Sequence, residues 1–230
     1  MECHRIDALT KYVGLCELMP LCSAVVLFRG QPVHRGLLPS VARVAPTKDT
    51  TKNERESLRQ IRLLGAQLLP ATDLTDLDLM VLAQHFGHRT RLLDWTTNPL
   101  AALWFACSSK ENGDGYVYIL EGHSLLEVDV YESDPFLLPE VVAFQPRNSN
   151  SRVNAQHGWF TLHQYSPRSS RFDALDEIPQ LSVNLQEITI PSDARLSILQ
   201  SLDLMGINAR TLFPDLSGLS QYLHWRTYET

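Results

Sequence analysis

Cysteine is scarce in this 230-residue chain, and its four cysteines do not form a ligand set for a metal. Cys3, Cys16, Cys22 and Cys107 make neither a CxxC pair nor a cluster with histidine. Structural zinc sites need several such ligands at short intervals, so we expect no metal. Isolated cysteines in a chain of this size are typical of reduced thiols, which predicts a cytoplasmic protein.

Uninterrupted apolar sequence is equally scarce. No stretch approaches the ~18 consecutive apolar residues that a membrane-spanning helix needs, and the N-terminal residues do not follow the order of a signal peptide. We therefore expect no membrane partner.

Basic residues are not in excess either, because the formal net charge is −6. This charge argues against a surface that attracts nucleic acid everywhere, but it allows a local basic patch.

The common catalytic and nucleotide-binding motifs do not occur in the chain. It contains no Walker loop, no GxGxxG after a predicted strand, no HExxH and no GxSxG. This argues against P-loop enzymes, Rossmann-type dinucleotide binding, zinc proteases of that type and α/β-hydrolases. The composition, 44% hydrophobic and 20% charged, is that of a globular protein. The length predicts a single domain over residues 1–230.

Hydrophobic periodicity predicts helices mostly in the first half of the chain and strands mostly in the second. That order is typical of an α+β fold, with helices packed on a mainly antiparallel sheet. The predicted helices with defined ranges are 7–19, Leu74–Phe86, Leu100–Cys107, Ala194–Leu204 and Asp215–Trp225. A further helix is predicted to have Thr51 or Asn53 as its N-terminal cap. The predicted strands are Ala24–Phe28, Tyr116–Leu120, Leu125–Val130, Val141–Phe144, Trp159–His163 and Leu185–Ile190.

The segment Leu82–Cys107, LAQHFGHRTRLLDWTTNPLAALWFAC, carries the strongest functional signal. It places charged and hydroxyl side chains in a predicted turn between two apolar helices, where binding and catalytic groups often lie. Taken singly, these side chains are explained by helix capping or salt bridges, whereas together they favour a site. The helix dipole favours a protonated His85. The candidate residues are His85, Arg91, Asp94, Trp95, Thr96 and Thr97.

A second candidate is the sequence Phe28-Arg29-Gly30-Gln31 at the end of the first predicted strand. An arginine there can point into a cleft and bind phosphate through two parallel hydrogen bonds. The glycine after it permits close approach of a ligand. The alternative is structural, with Arg29 in a salt bridge to a carboxylate such as Asp94, and the spacing alone favours that alternative.

The segment Val141–Phe172 reverses the overall charge, since it contains arginines and aromatic residues but no Asp or Glu. Cationic and aromatic side chains together are typical of surfaces that bind single-stranded nucleic acid or a nucleotide. The alternative is a hairpin whose aromatic residues face the core and whose arginines are solvated. The candidate nucleic-acid contacts are Arg147, Arg152, Trp159 and Tyr165.

Taken together, these motifs resemble the FRG domain family. The resemblance starts at Phe28-Arg29-Gly30, continues through Leu37–Ser40 and Leu82–Ala106, and includes Arg152 with Gln156–Phe160. It ends at Leu212–Leu216 and so covers roughly residues 20–225. His88 departs from the small or apolar residue expected at that position.

The order of these motifs is also similar to that of Arg–Ser–Glu type ADP-ribosyltransferases. That resemblance implies a split sheet, NAD as a substrate, Arg29 organising the NAD pocket and Thr96 or Thr97 supporting the nicotinamide side. It also implies a late catalytic glutamate, but Gln156 stands in the matching motif, and Asp94 or Glu140 is then the substitute. Other NAD contacts are assigned to Gly30, Gln31, His85, Arg91 and Trp95.

Three functions therefore stay open. The first is an NAD-dependent ADP-ribosyltransferase with Arg29, Asp94 and Gln156 as catalytic residues, a DNA or RNA acceptor, and a toxin or phage-defence role that an antitoxin would restrain. The second is a nucleotide or nucleic-acid binding module without catalysis. The third is a hydrolase or nuclease in which Asp94 and His85 form an acid/base pair.

Overall fold

The computed structural model describes residues 2–19, 25–71, 73–122, 125–126, 130–147 and 150–229. The strands are β1 (Glu2–Arg5), β2 (Val26–Gln31), β3 (Leu92–Thr96), β4 (Gly115–Glu121), β5 (Val142–Phe144), β6 (Gly158–Leu162), β7 (Tyr165–Ser166), β8 (Arg171–Phe172) and β9 (Leu185–Ile190). The helices are α1 (Leu9–Cys16), α2 (Thr51–Leu64), α3 (Asp76–His85), α4 (Pro99–Cys107), α5 (Ser151–Ala155), α6 (Pro179–Ser182), α7 (Arg195–Leu204), α8 (Ala209–Leu212) and α9 (Leu216–Tyr228).

The main sheet has seven strands in the order β1-β9-β4-β2-β3-β6-β5, and β7 and β8 form a separate pair. Among the strands that the structure describes in this sheet, β1 and β9 pair in parallel, while the other neighbouring strands are antiparallel. Helices and a mainly antiparallel sheet confirm the predicted α+β class.

The two faces of the main sheet are covered differently. On one face, α1, α4 and α7 pack on β2, β4 and β9 around Phe28, Ile119 and Ile188. Beside them, α2 and α3 pack on β3, β5 and β6. The opposite face carries a third apolar cluster that includes Leu27 and Leu185, and loop residues such as Leu37 and Leu175 cover it. We call these the helical face and the loop face.

Most predicted elements lie close to their observed positions. The helix predicted at Leu74–Phe86 is α3, where Thr75 and Asp78 form a capping box, and the strand Leu185–Ile190 is β9 without change. Capping residues and alternating apolar side chains act locally, so the sequence alone reveals them. Part of the strand predicted at Leu125–Val130, and the first residue of Ala24–Phe28, lie outside the described residues.

The turn predicted between α3 and α4 is wrong, because it contains β3. This strand reads Leu92-Leu93-Asp94-Trp95-Thr96, and all of it is buried except Asp94. A strand buried on both faces has no alternation of apolar and polar residues, so periodicity does not detect it. Strand β1 and the short helix α5 were missed as well.

Gly30 lets α4 lie directly on the sheet. A Cβ atom on Gly30 would come within 1.9 Å of the backbone oxygen of Ala102 in α4. Phe28 points to the same helical face and is buried there, whereas Arg29 between them points to the loop face. Phe28 and Gly30 thus pack α4 against the sheet. Arg29 lies on the other face, where it is available to a site.

We expect Gly30→Ala to destabilise the fold by about 3 kcal/mol or more, because backbone atoms of α4 must move to admit the methyl group. The measurement is urea denaturation. The matched control is Gly14→Ala in α1, where an added Cβ would meet nothing within 4 Å. That variant should gain roughly 0.5–1 kcal/mol from helix propensity. Equal stabilities for the two variants would contradict the packing role.

Candidate functional site

The sheet opens between β2 and β3, and Arg29 reaches into the opening. These two strands pair only at Phe28 and Thr96, whereas β2 pairs with β4 from Val26 to Gln31. Nη1 of Arg29 donates to the backbone oxygen of Asp94 at 2.7 Å and lies 3.7 Å from its carboxylate Oδ2. The structural alternative for Arg29, contact with Asp94, is therefore observed, but mostly through the backbone.

Arg29 is a buried cation with hydrogen-bonding capacity left over. Its side chain is 11% exposed, and its Nε is buried without a hydrogen-bond partner. Burial lowers the pKa of Arg29 to about 10, and the charge of Asp94 partly opposes that shift. A buried donor without an acceptor costs about 1–3 kcal/mol, so an anionic ligand that accepted this N–H would recover that cost.

Across the sheet, Arg29 is the first member of a polar row on the loop face. Arg29 lies opposite Tyr118 on β4, and Tyr118 lies opposite Glu187 on β9. With strands about 4.8 Å apart, the Cα atoms of Arg29 and Glu187 are roughly 10 Å from each other. Burial, followed by the charge of Glu187, raises the pKa of Tyr118 above its usual value. The row therefore contains a cation, a neutral phenol and a carboxylate on three neighbouring strands.

Glu187 was not recognised in the sequence. It is 7% exposed, and its Oε2 lies 3.1 Å from Nε2 of His34, whose side chain is 58% exposed and lies over it. The available signal was a carboxylate at an inward position of the predicted strand Leu185–Ile190, where a buried charge is costly unless it is paired. The register that brings it next to Tyr118 depends on pairing between distant segments.

On the helical face, a chain of hydrogen bonds orients the side chain of Asp94. Nε2 of Gln84 in α3 donates to Asp94 Oδ1 at 2.5 Å, and the Thr90 hydroxyl donates to Oε1 of Gln84. That hydroxyl accepts from the backbone N–H of Leu92 at 3.1 Å. Because the N–H of Leu92 already donates to the Thr90 hydroxyl, the proton of that hydroxyl is directed at Gln84. The amide nitrogen of Gln84 is thereby directed at Asp94.

A cavity of about 140 Å³ opens beside Asp94. It brings together residues that the sequence predicted separately as catalytic, NAD-binding and nucleic-acid-binding. Burial, and then the charge of Arg152, lowers the pKa of His85, so the protonated state expected from the helix dipole is not favoured. The predicted residues that line the cavity are His85, Asp94, Trp95, Arg152, Gln156 and Trp159.

Arg91 has a structural role instead of the predicted NAD contact. It is fully buried, and its Nη2 lies 2.8 Å from Oε1 of Glu54 in α2. It also donates to Thr51 and Gln164, and its guanidinium lies over the ring of Phe136. These contacts use the guanidinium inside the protein and leave it no access to a ligand.

Trp95 and Thr96 also make internal hydrogen bonds, whereas Thr97 is exposed. Nε1 of Trp95 donates to the Thr161 hydroxyl at 3.0 Å. The Thr96 hydroxyl donates to the backbone oxygen of Gln156 at 2.5 Å. These bonds hold β3, β6 and the end of α5 together, which supports the walls of the cavity. Gln31, another predicted contact, is buried at the end of β2 and donates to the backbone oxygen of Arg35.

The predicted nucleic-acid residues are not gathered on one basic surface. Nη2 of Arg152 lies 2.6 Å from the carboxylate of Asp215. Arg147 lies over the ring of Tyr131, 4.0 Å from its centre. Tyr165 belongs to the separate β7–β8 pair, whereas Trp159 belongs to β6 of the main sheet. The segment Val141–Phe172 contains no carboxylate of its own, but in the folded chain carboxylates from other segments, such as Asp215, offset its positive charge.

Among the described residues, no group of three His, Cys, Asp or Glu side chains is arranged to hold a metal ion. None of the helices in that part of the chain has the length and apolar character needed to cross a membrane. Comparison with known families matches residues 24–115 to the FRG domain. Comparison with curated proteins and with solved structures gives no match. The matched range contains Arg29, Gln84 and Asp94 but not Gln156 or Glu187.

Proposed function

We propose that the region that matches the FRG domain, residues 24–115, and the strands around it form an NAD-dependent ADP-ribosyltransferase that modifies a macromolecule. In this proposal Arg29 binds the pyrophosphate of NAD through the N–H groups that Asp94 does not use. Glu187 supplies the negative charge that faces the ribose as the bond to nicotinamide breaks. Nicotinamide leaves with the bonding electrons. The acceptor forms the new bond to the ribose carbon, loses its proton and thereby receives the ADP-ribosyl group.

The observation that carries the proposal is the row formed by Arg29, Tyr118 and Glu187 on adjacent strands. A transferase of this kind needs an anion-binding cation and a carboxylate on one surface, because its transition state develops positive charge at the ribose. The motif around Gln156 offers no carboxylate, but β9 does. The opening between β2 and β3 supports the split sheet that the resemblance implies.

Access to Glu187 requires a local movement. The imidazole of His34 lies on the carboxylate, and His34 belongs to the loop that follows β2. We propose that NAD displaces His34 from Glu187 when it binds. Loops are the usual elements to move in this way, since few buried contacts hold them.

The test is incubation of the purified chain with labelled NAD and with separate fractions of DNA, RNA and protein. Released nicotinamide and transferred label are both measured. We expect Arg29→Met to lower nicotinamide release at least about 100-fold, because a preorganised electrostatic contact is lost. The matched control is Arg5→Met at the end of β1, which removes a surface pair with Asp114 and should retain activity. Absence of NAD turnover by well-folded protein would remove the proposal.

The cavity beside Asp94 favours a second candidate, a hydrolase or nuclease in which Asp94 and His85 act as an acid/base pair, since both side chains line it. That function predicts cleavage without NAD and full activity in Glu187→Gln. A toxin or phage-defence role, an antitoxin partner, a nucleic-acid acceptor and a cytoplasmic location remain extensions of the first proposal. Label found on one class of macromolecule would choose the acceptor.

A further inference from the structure

Another cavity, of about 330 Å³, lies between the loop that precedes α2 and the segment that precedes β3. Hydrogen bonds join these two segments, since Val41 N–H donates to the backbone oxygen of Thr90 at 3.2 Å and Thr90 N–H donates to the hydroxyl of Ser40 at 3.1 Å. The residues that line it are all different from those that line the cavity beside Asp94. Pockets for small ligands begin at roughly 300 Å³, so this cavity can hold a small organic molecule or one unit of a polymer.

Three basic side chains line this cavity, namely those of Lys48, His88 and Arg89. All three residues are exposed, and within the part of the chain that the structure describes none of these side chains forms a hydrogen bond or an ion pair. Most other arginines in that part are paired with a carboxylate. Because two separate segments bring these unpaired groups to one cavity, they are available together to an anionic ligand.

The carboxylate at this cavity is already neutralised inside the protein. Glu54 is the acidic residue of the lining, and its Oε1 lies 2.8 Å from Nη2 of the buried Arg91. The carboxylate of Asp49, which does not belong to the lining, accepts the backbone N–H of Thr51 at 2.9 Å. In a chain whose net charge is −6, the lining therefore carries positive charge that no lining carboxylate offsets.

The rest of the lining combines an apolar wall with uncharged polar groups. The wall consists of Val41, Val44 and Ala45. Asn53 and Ser57 on α2 add an amide and a hydroxyl, which can both donate and accept hydrogen bonds. A nucleotide has an anionic phosphate, a polar sugar and a flat base with apolar faces, so the lining offers a partner to each of its parts.

We propose that this cavity binds a nucleotide through its phosphate, with Arg89 and Lys48 on the phosphate oxygens. A guanidinium can donate two parallel hydrogen bonds to a phosphate, and an ammonium adds a compact charge. The site goes beyond the proposed transferase, because its lining includes neither Arg29 nor Glu187. His88, at which the chain departs from the FRG motif, adds a ring nitrogen to the lining, so the site is not part of what the resemblance implies.

The experiment measures the binding of nucleotides to the purified full chain. Calorimetry uses the common ribonucleoside 5′-monophosphates and inorganic phosphate, and fluorescence polarisation uses labelled single-stranded DNA and RNA of about 8 nucleotides. We expect Arg89→Met to lower the affinity for the nucleotide or the strand at least ~10-fold, because a charge-assisted hydrogen bond is lost. Nucleotides should bind about 10-fold more tightly than inorganic phosphate, because the base covers the apolar wall. The matched control is Arg168→Met, which removes an exposed arginine of the segment Val141–Phe172 and should keep the affinity.

The two sources of such a nucleotide give different results. Monophosphates that bind as tightly as the strand identify a free nucleotide. A strand that binds more tightly, with the salt slope of its affinity reduced by about 1 in Lys48→Met, identifies a polynucleotide. The inference is overturned if no probe binds, if phosphate binds as tightly as nucleotides, or if Arg89→Met loses no more affinity than Arg168→Met. Arg89→Met should leave nicotinamide release from NAD unchanged, so a chain that does not turn over NAD contradicts the proposed function alone.

Discussion

Glu187→Gln is expected to lower NAD turnover about 100- to 1000-fold, the usual loss when one preorganised electrostatic group is removed from an active site. The substitution preserves size and a hydrogen-bonding oxygen, so contact with His34 and packing against Tyr118 remain available. Only the negative charge is removed. The loss should therefore appear in the rate of nicotinamide release at saturating NAD, while the folded structure is retained.

The control for this prediction is Glu121→Gln at the far end of β4, a partly exposed residue. It should keep the turnover of the unmodified chain. Circular dichroism and a urea midpoint measured on both variants separate a catalytic loss from an unfolded protein. Full turnover in Glu187→Gln would exclude β9 from the site, and Asp94 would then be the carboxylate to test.

Arg91→Met is expected to lower the free energy of unfolding by about 3–5 kcal/mol, because it leaves the carboxylate of Glu54 buried without its cation. Arg91 is fully buried and Glu54 is 6% exposed, and the two charges are joined at 2.8 Å. For a chain of this length the loss corresponds to a fall in melting temperature of roughly 6–20 °C. The measurement is thermal or urea denaturation followed by circular dichroism.

Two further variants identify the cause of that loss. Arg91→Met combined with Glu54→Leu removes both charges and should recover most of the stability, since an apolar pair can replace a buried ion pair. Arg59→Met breaks an exposed pair with Glu56 on the same helix and should leave the midpoint almost unchanged, because water screens such pairs. A mild effect of Arg91→Met would mean that water reaches the pair, and the ligand role predicted for Arg91 would deserve a second test.

The residues that sequence reasoning placed near the site divide into two groups in the structure. Arg29, Asp94 and Gln156 border the opening and the cavity, as their concentration in motifs suggested. Arg91 and Trp95 lie in the same motif but are buried in internal contacts. Residues that are close together in a motif can serve packing or chemistry. Only burial and hydrogen-bond partners separate the two causes.

Local patterns were sufficient for much of the fold. The capping box of Thr75, the cap provided by Asn98 and the alternating residues of β9 act within a few positions, so the chain specifies these elements directly. The α+β class followed from their order. The FRG resemblance also came from the residues, and the match over residues 24–115 confirmed it.

The arrangement of the site depended on long-range pairing. Glu187 is 158 positions from Arg29 along the chain, yet Tyr118 alone separates them across the sheet. Strand order and register arise from the burial of whole faces, and a shift of one residue would turn Glu187 to the helical face. The sequence therefore indicated the FRG resemblance, most of the elements and the cation of the candidate site. The packed sheet placed a carboxylate on the same face, because apolar burial summed over many strands selects which distant residues become neighbours.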